Sequence, residues 1–491
     1  MDRPNVLLIQ CDQMTRAAMP SARYEIVDAL TLRRLGEEGV TFERAYCPSP
    51  LCVPSRAAMM TGLLPSGNGA YDNAGDFPSS VPTIAHYLRR AGYRTELAGK
   101  MHFIGPDQLH GFEFRPTSDV YPAGFDWIPD WTTDERSPWY HDMSSVFRAG
   151  PVKAALQIDF DQETGHAAGR ALADAARDKR PFFLVASFTF PHDPFEVPAR
   201  YWERYEGVQI DDPIVGPLSD PDPHTRRLRE MIEADRRIPS PEEIRAARRG
   251  YYGAVSFIDD LVGQLLAILE RLELTENTVV IFTSDHGEML GERGLWYKMA
   301  PFEGSAGVPL IIWNPTRFGS RMVTTPVSTL DLLPTLLELS GAGPGVTKLD
   351  GESLVPLLEG GNGHGPVAME YLAEGVRAPM VMLVDGRFKL IRCPGDPDLL
   401  YDLDADPLET VNLAHRPEAA EVMARMGGMI ESKWDLAKLG EQVLSSQARR
   451  RVVAAANATG TVTAWDHRPA GAKYIGTGDD FWSTLESARL E

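Results

Sequence analysis

Residues 278 to 286 read TVVIFTSDH, an apolar run that ends in a carboxylate and an imidazole side chain. Two more runs have this layout: VLLIQ at residues 6 to 10 and FFLVASFTF at residues 182 to 190. Runs that are apolar throughout are typical of strands in a parallel sheet, because helices cover both faces of such a sheet. The three runs therefore predict the central strands of an α/β domain.

Polar side chains follow each of these runs. Asp12 comes after the first, His192 after the second, and Asp285 and His286 complete the third. Ligands of open α/β sheets bind at the carboxyl ends of the strands. We therefore expect these four side chains to converge, although they are far apart in sequence.

Amphipathic stretches lie between the strands and predict the helices that cover the sheet. They span Leu32 to Glu38, Thr83 to Ala91, Gly165 to Ala176 and Ala254 to Leu272. The predicted fold class is α/β, with a large, doubly wound, mostly parallel sheet and helices on both of its faces.

The sequence pattern changes near residue 365. Pro366 to Tyr371, Met380 to Val384 and Phe388 to Arg392 are typical of short strands, and the turn signal Asp385-Gly386 joins the last two. A helix is expected near residues 417 to 436. This part of the chain therefore predicts a small antiparallel sheet with a helix beside it.

We divide the chain into a catalytic domain (1–364), a smaller C-terminal α+β subdomain (365–440) and an extended tail (441–491). The tail is basic from Ser445, then rich in Gly and Thr, and has too few apolar residues to fold alone. We expect it to wrap its own body or a neighbouring subunit, as an oligomerisation arm of a homodimer or homotetramer.

Composition limits the classes of partner. The 491 residues carry a net charge of -20, which argues against nucleic acid and anionic membranes as partners. An anionic substrate must therefore be attracted by a local cluster of cations. The four cysteines are scattered and predict no disulfide framework, which favours a reducing compartment. We find no signal-like segment and no stretch long enough to span a bilayer, so we expect a cytoplasmic protein.

The stretch CVPSR at residues 52 to 56 carries the chemistry. A cysteine followed at this spacing by Pro, Ser and Arg is the mark that a formylglycine-generating enzyme reads. Cys47 is also followed by Pro but has Leu51 where the motif needs Arg, so only Cys52 matches. The run after Arg56 predicts a helix, which puts Cys52 near a helix N-terminus that favours an anion. The alternative interpretation of Cys52 is a buried, inert thiol.

With this motif the chain resembles the sulfatase family. The resemblance implies that a formylglycine-generating enzyme oxidises Cys52 to an aldehyde, which is hydrated to a gem-diol. One hydroxyl then attacks sulfur, a covalent sulfo-enzyme intermediate forms, and the other hydroxyl expels the sulfate.

The resemblance also implies one divalent metal ion. Its ligands would be Asp12, Gln13, Asp285 and His286 together with the modified Cys52. Many relatives have Asp in place of Gln13 and Asn or His in place of His286. Oxygen ligands favour Ca²⁺, which we expect, whereas an imidazole moves the preference towards Mn²⁺, with Mg²⁺ as a further alternative. Seen alone, Asp285-His286 is equally typical of a helix cap.

Five cationic or titratable side chains match family positions that contact sulfate or move protons: Arg56, Lys100, His102, His192 and Lys298. The resemblance implies that Arg56 and Lys100 hold the aldehyde hydrate and that His102 deprotonates it. His192 and Lys298 would serve the leaving group, because an alkyl alcohol needs a general acid to leave.

Several segments resemble the choline-sulfatase branch of the family. They include residues 71–74, 99–112, 289–296, 446–450 and 465–467.

A quaternary ammonium group is recognised by aromatic faces and nearby carboxylates. The candidates are Trp127, with Trp131, Trp139 and Tyr140 nearby, the polar residues Asn73 and His141, and the acids Glu370 or Glu374 and Asp479 or Asp480. The alternative is that these tryptophans belong to the core and these acids are solvated.

The leading hypothesis is therefore hydrolysis of choline sulfate to choline and sulfate. Three alternatives stay open at this point. They are a phosphonate monoester or phosphodiester hydrolase on the same fold, a sulfatase for another alkyl or aryl sulfate, and a non-catalytic protein that binds sulfated or quaternary amine solutes.

Overall fold

The computed structural model describes residues 3–20, 26–133, 135–461 and 464–469. Asp479 and Asp480, which are predicted to face a substrate cation, lie outside the described residues. In chain order the strands are β1 (Asn5–Asp12), β2 (Val40–Phe42), β3 (Ala45–Tyr46), β4 (Arg94–Gly99), β5 (Gly150–Val152), β6 (Phe182–Pro191), β7 (Glu196–Pro198), β8 (Thr278–Ser284), β9 (Gly307–Val308), β10 (Leu310–Trp313), β11 (Arg321–Val323), β12 (Val327–Ser328), β13 (Val367–Tyr371), β14 (Met380–Asp385), β15 (Phe388–Arg392) and β16 (Leu399–Asp402).

A seven-stranded sheet in the order β11-β2-β10-β8-β1-β6-β4 forms the centre of the molecule. All neighbours pair in parallel except β10, which runs antiparallel to both β8 and β2. Every residue of β1, β6 and β8 is buried, as the three apolar runs predict. The predicted fold class is confirmed, and β8 has the predicted bounds.

The helices are α1 (Leu30–Glu38), α2 (Cys52–Thr61), α3 (Pro65–Asn68), α4 (Ile84–Arg90), α5 (Ser144–Phe147), α6 (Leu156–Arg177), α7 (Ala199–Glu203), α8 (Pro223–Met231), α9 (Pro241–Arg271), α10 (Glu303–Ala306), α11 (Leu332–Ser340), α12 (Val355–Leu358), α13 (Ala420–Lys433) and α14 (Leu436–Asn457). One group, α1, α6 and α9, packs together and against strands of the central sheet. A second group consists of α2, α4 and α11, and in it α4 packs on β4. Helices α6 and α9 begin earlier than predicted. Helix α9 is extended by a Ser240 capping box with Pro241 in its first turn.

Helix α9 is also long and apolar enough to cross a membrane, which corrects the expectation that no stretch is. Its most apolar window is 72% buried inside the protein. The helix contacts α1, α6 and β6, so its apolar character is that of a core helix.

The C-terminal part contains the predicted antiparallel sheet, in the order β13-β14-β15-β16. A two-residue turn joins β14 and β15, where Asp385 pairs with Phe388. Helix α13 follows, and α14 crosses the expected boundary between residues 440 and 441. The stretch after Ser445 that we expected to be extended is therefore helical as far as Asn457. The division into three parts stays a prediction.

Candidate active site

Cys52 is the first residue of α2, and its side chain lies where β1 and β8 end. The chain enters the helix through Leu51 in an extended conformation. The next amide, Val53 N, donates a hydrogen bond of 3.1 Å to Asn73 Oδ1. The predicted placement of Cys52 at a helix N-terminus is thus observed, and Asn73 lies beside it.

Four buried donor atoms surround one point: Asp12 Oδ1, Cys52 Sγ, Asp285 Oδ2 and His286 Nε2. His286 Nε2 lies 3.3 Å from Cys52 Sγ, 3.6 Å from Asp12 Oδ1 and 3.7 Å from Asp285 Oδ2. Donors that share one divalent ion at bonds of roughly 2.0–2.5 Å are separated by distances of this size. The residues present therefore suit the metal ion that the family implies.

The protonation of this cluster also suits a cation. His286 Nδ1 lies 3.1 Å from Gly287 O, which leaves Nε2 to face the other donors. Burial lowers the pKa of His286 to about 3, so the ring is neutral. Burial opposes ionisation of Asp285, but the positive charges of Arg56 and Lys100 outweigh it and hold the pKa of Asp285 below its usual value.

Arg56 is fully buried and orders the carboxylates of the cluster. Its Nε donates to Asp285 Oδ2 at 2.8 Å and its Nη2 lies 3.4 Å from Asp12 Oδ2. Nη1 donates to Lys100 O at 2.8 Å and to Ser187 Oγ at 2.9 Å. Arg56 therefore joins the ends of β1, β4 and β8 to Ser187 in the middle of β6. Its predicted contact with the aldehyde hydrate stays a prediction.

Lys100 and His102 come from the segment after β4. Lys100 Nζ contacts Asp12 Oδ2 and lies 3.6 Å from Cys52 Sγ. Burial lowers the pKa of Lys100 to about 7 and holds the pKa of His102 well below its ordinary value. Neither ring nitrogen of His102 has a hydrogen-bond partner among the described residues. A neutral imidazole with free nitrogens beside the cluster can act as a base.

Lys298 and His192 face the cluster from the other side. Lys298 Nζ donates to Gln13 Oε1 at 2.6 Å and lies 2.6 Å from His192 Nε2. His192 Nδ1 is 2.7 Å from Asp193 O, which fixes the ring with Nε2 towards Lys298. Gln13 reaches the site, but its amide oxygen faces Lys298. Its role as a metal ligand stays a prediction.

Aromatic rings cover the site. The ring of Tyr121 lies 4.3 Å from Lys100 Nζ, measured to its centroid. Trp127 is half-buried, and its ring lies 5.5 Å from Tyr121 and 5.6 Å from His102. The ring of His141 lies 6.1 Å from His192. The predicted substrate residues Trp127 and His141 are therefore near the predicted catalytic histidines.

Glu370, a predicted ligand for the substrate cation, makes several contacts within the protein. Its buried carboxylate accepts from Ser66 N at 2.7 Å, Ser66 Oγ at 2.6 Å and Trp434 Nε1 at 2.6 Å. These contacts join α3, β13 and the end of α13. These three donors tie Glu370 to the packing of the protein, and its role as a ligand for a cation stays a prediction.

Glu374 has the surroundings that Glu370 lacks. It is 3% exposed, and its Oε2 has no hydrogen-bond partner in the part of the chain that the structure describes. Burial raises the pKa of Glu374 to about 7; Asp72 raises it further and Lys298 lowers it. A buried carboxylate oxygen without a donor has a desolvation cost that a bound cation would offset.

Two of the other tryptophans play different parts. The aromatic segment spans residues 115–155 and is rich in Trp and Tyr. Within it, Trp131 is 7% exposed and its Nε1 donates to Ala373 O at 2.8 Å, so its side chain belongs to the core. Trp139 packs edge-on against Tyr140 at 4.5 Å. The alternative that these tryptophans belong to the core is therefore correct for Trp131.

Sequence reasoning gave no role to Asp119 and Tyr121. Asp119 Oδ2 accepts from Met101 N at 2.9 Å and His102 N at 2.7 Å, and it pairs with Arg115. It thereby holds the segment that carries Lys100 and His102. Nothing in the sequence distinguishes Asp119. Tyr121 belongs to the aromatic segment, but no feature of the sequence singles it out from the other aromatic residues there.

Three family models match the chain. The sulfatase model covers residues 4–342, the C-terminal model of N-sulphoglucosamine sulphohydrolase covers 291–435, and the C-terminal model of choline sulfatase covers 441–476. The first of these spans well over half of the chain.

Curated relatives and solved structures agree with these models. A choline-sulfatase of Rhizobium meliloti (strain 1021) is 42% identical over 95% of this chain and 94% of its own length. An uncharacterized sulfatase of Escherichia coli (strain K12) is 30% identical over 87% and 86%.

Among solved structures, the phosphonate monoester hydrolase of Agrobacterium radiobacter is 26% identical, covers 91% of this chain and 96% of its own, and superimposes with a TM-score of 0.70. The corresponding enzyme of Silicibacter pomeroyi, at 24% identity and a TM-score of 0.71, covers 87% and 94% and shows the shared fold. The resemblance drawn from the CVPSR motif is thus confirmed over almost the whole chain. The chain belongs to the sulfatase family of the alkaline-phosphatase-like superfamily and is a sulfuric ester hydrolase.

Proposed function

We propose that this enzyme hydrolyses choline sulfate to choline and sulfate, with Cys52 converted to formylglycine. The observation that carries the proposal is the presence of two features. One is the buried cluster of metal-ligand atoms around Cys52, and the other is the buried carboxylate of Glu374, whose Oε2 has no hydrogen-bond partner among the described residues. The 42% identical relative named choline-sulfatase supports the same substrate.

The sulfate end of the substrate would lie at Cys52. Asp12, Asp285 and His286 would hold a divalent ion, which we propose to be Ca²⁺, with Mn²⁺ or Mg²⁺ as alternatives. When bound, such an ion polarises the sulfate oxygens and favours ionisation of the nucleophile. Lys100 adds positive charge beside Cys52 and screens the sulfate from the two carboxylates. His102, whose pKa burial holds well below its ordinary value, would accept a proton from the side chain at position 52.

The leaving oxygen of an alkyl ester needs a proton. Lys298 Nζ lies 2.6 Å from His192 Nε2, so a proton can pass between them. Asp193 O holds the imidazole in the tautomer that presents Nε2 to Lys298. This pair is therefore the general acid of the proposed reaction.

The quaternary ammonium would lie between Trp127 and Glu374. It cannot be hydrogen-bonded through nitrogen, so an aromatic face and an ionised carboxylate are the groups that recognise it. Lys298 lowers the pKa of Glu374, which supports a position for the cation on the side of the leaving group.

The modification is tested by mass spectrometry of protein made with a formylglycine-generating enzyme. The tryptic peptide of residues 45–56 contains both Cys47 and Cys52, so fragment masses compare the two cysteines directly. We expect the aldehyde at position 52 and an intact thiol at position 47. A thiol at both positions would reject the proposed mechanism.

Substrate choice is tested with the same modified protein. Turnover of choline sulfate is compared with that of nitrophenyl sulfate and an aryl phosphonate monoester. We expect the highest kcat/KM with choline sulfate. A higher kcat/KM for the phosphonate would favour the phosphonate hydrolase alternative. Two phosphonate monoester hydrolases share the fold of this chain. A preference for another sulfate would leave the enzyme a sulfatase of different specificity.

A further inference from the structure

The C-terminal helix α14 reaches the substrate site through a buried ion pair. Arg450 Nη1 and Nη2 each donate to one carboxylate oxygen of Asp72, both at 2.6 Å. The side chains are 6% and 0% exposed, and 378 residues separate them in sequence. Arg450 Nε donates to Ser446 Oγ at 3.2 Å, one turn earlier on the same helix. The guanidinium is therefore held in one orientation by partners on two sides.

The turn that contains Asp72 is hydrogen-bonded to the start of α2, where Cys52 lies. Asp72 Oδ1 also accepts from Ala74 N at 3.0 Å, and the Asp72 carbonyl accepts from Gly75 N at 2.8 Å, so Arg450 clamps a tight turn. Asn73 lies inside that turn and accepts the hydrogen bond from Val53 N, beside Cys52. A shift of this turn would move Asn73 relative to the start of α2.

The same face of α14 holds the aromatic segment. Gln447, which is fully buried, accepts from Trp131 N at 3.3 Å. Arg451 donates to Pro129 O at 2.7 Å and pairs with Asp130 at 3.0 Å. These contacts lie within four residues of Trp127. One turn of α14 thus fixes two parts of the wall around the alcohol end of the substrate.

The ion pair has an electrostatic consequence for Glu374. Two charged groups act on Glu374: Asp72 raises its pKa and Lys298 lowers it. Asp72 disfavours the ionised form of Glu374, and Arg450 neutralises Asp72. Buried ion pairs are weak contributors to stability, because desolvation cancels much of their attraction. A role in arranging charge and position explains this pair better than a role in stability.

We propose that Arg450 is a positioning residue for specificity: by holding Asp72, it fixes Asn73 beside the nucleophile and leaves Glu374 as the carboxylate that attracts the substrate cation. This inference rests on the proposed choline sulfate activity. Helix α14 then helps to shape the active site of the chain to which it belongs.

The test compares kcat and KM for three esters in the modified enzyme. They are choline sulfate, its neutral isostere with carbon in place of nitrogen, and nitrophenyl sulfate. The variants are Arg450→Met, Asp72→Asn and the double variant Arg450→Met/Asp72→Asn. Arg449→Met is the matched control, because Arg449 is exposed on the same helix and bonds to Ser445.

For Arg450→Met we expect kcat/KM for choline sulfate to fall at least about tenfold, because the removed partner leaves an unpaired buried charge. Most of the change should be in KM, and nitrophenyl sulfate should change less than about threefold. The pH at which KM for choline sulfate begins to rise should move upward, since an unneutralised Asp72 disfavours ionisation of Glu374. The double variant removes the unpaired charge and should recover the pH shift, whereas the part of the KM rise that comes from the lost two-point contact should remain. Arg449→Met should match the wild type.

Equal losses on all three esters that Asp72→Asn does not recover would overturn the inference, as would an unchanged Arg450→Met enzyme. Should Arg450→Met not fold, Arg450→Lys decides: it keeps the charge but loses the two-point contact, and an unchanged KM for choline sulfate would overturn the proposal. If the wild type does not hydrolyse choline sulfate, the proposed function fails by itself. The inference is then tested with the ester that the enzyme prefers, by asking whether adding Asp72→Asn reverses the pH shift caused by Arg450→Met.

Discussion

The two ends of the active site are built from different parts of the fold. The sulfate end consists of Asp12, Cys52, Arg56, Asp285 and His286, all fully or almost fully buried at the ends of β1 and β8 and the start of α2. The proposed alcohol end consists of Trp127, His141 and Glu374, which come from irregular segments between the elements. Rigid elements hold groups in one geometry, whereas loops change readily between relatives. Chemistry common to the family therefore belongs at the sulfate end, and substrate choice at the alcohol end.

Cys52→Ala tests the sulfate end and has the largest expected effect. Without a nucleophile, kcat should fall on the order of 10⁴-fold or more, and by the same factor for choline sulfate and nitrophenyl sulfate. Cys47→Ala is the matched control, since Cys47 is also buried but contacts Ser305 O. Full activity in Cys52→Ala would remove Cys52 from the reaction.

His192→Ala tests the boundary between the two ends. For choline sulfate, kcat should fall about 10²- to 10⁴-fold, because the alkoxide needs a proton as it leaves. For nitrophenyl sulfate the loss should be much smaller, because nitrophenolate is a stable anion. Steady-state kinetics with both esters measure this difference. If the two losses are equal, His192 serves the sulfate rather than the leaving group.

The sequence predicted the sulfate end far better than the alcohol end. Side chains at the ends of parallel strands meet by geometry, so Asp12, Asp285 and His286 were expected together, and the structure places their donor atoms within 3.7 Å of His286 Nε2. No such rule applies to an irregular segment. Whether Glu370 or Glu374 is available to a substrate depends on the hydrogen bonds that Glu370 accepts from Ser66 and Trp434, which are distant in sequence.

Glu374→Gln tests the alcohol end directly. KM for choline sulfate should rise about tenfold to thirtyfold, because a neutral amide attracts the cation less. The pKa of Glu374 is raised to about 7, so the carboxylate is ionised above that pH and protonated below it. In the wild type, KM for choline sulfate should therefore rise as the pH falls through 7, and in Glu374→Gln this dependence should vanish.

Glu370→Gln is the comparison that separates the two acids. Its carboxylate holds Ser66 and Trp434, so the variant should lose thermal stability. Its KM for choline sulfate should keep the wild-type pH dependence. If Glu370→Gln instead loses the pH dependence of KM and Glu374→Gln keeps it, Glu370 is the ligand of the cation.

Trp127→Ala should have a smaller effect. Loss of one aromatic face should raise KM for choline sulfate about fivefold to tenfold, in line with cation–π contributions at partly buried sites. The neutral carbon isostere should lose much less. Trp139→Ala is the control, because Trp139 is likewise half-buried but packs on Tyr140. Equal losses on the charged and neutral esters would show a contribution from shape alone.

Trp131→Phe has the smallest expected effect and separates support of the alcohol end from contact with substrate. The substitution keeps an aromatic ring but removes the Nε1 donor to Ala373 O, so the free energy of unfolding should fall by about 1 kcal/mol. A denaturant titration measures this change. KM for choline sulfate should stay close to the wild-type value, because Trp131 is buried beneath the segment that carries Trp127. A large rise in KM with unchanged stability would instead place Trp131 against the substrate, and the alcohol end would then reach into the core.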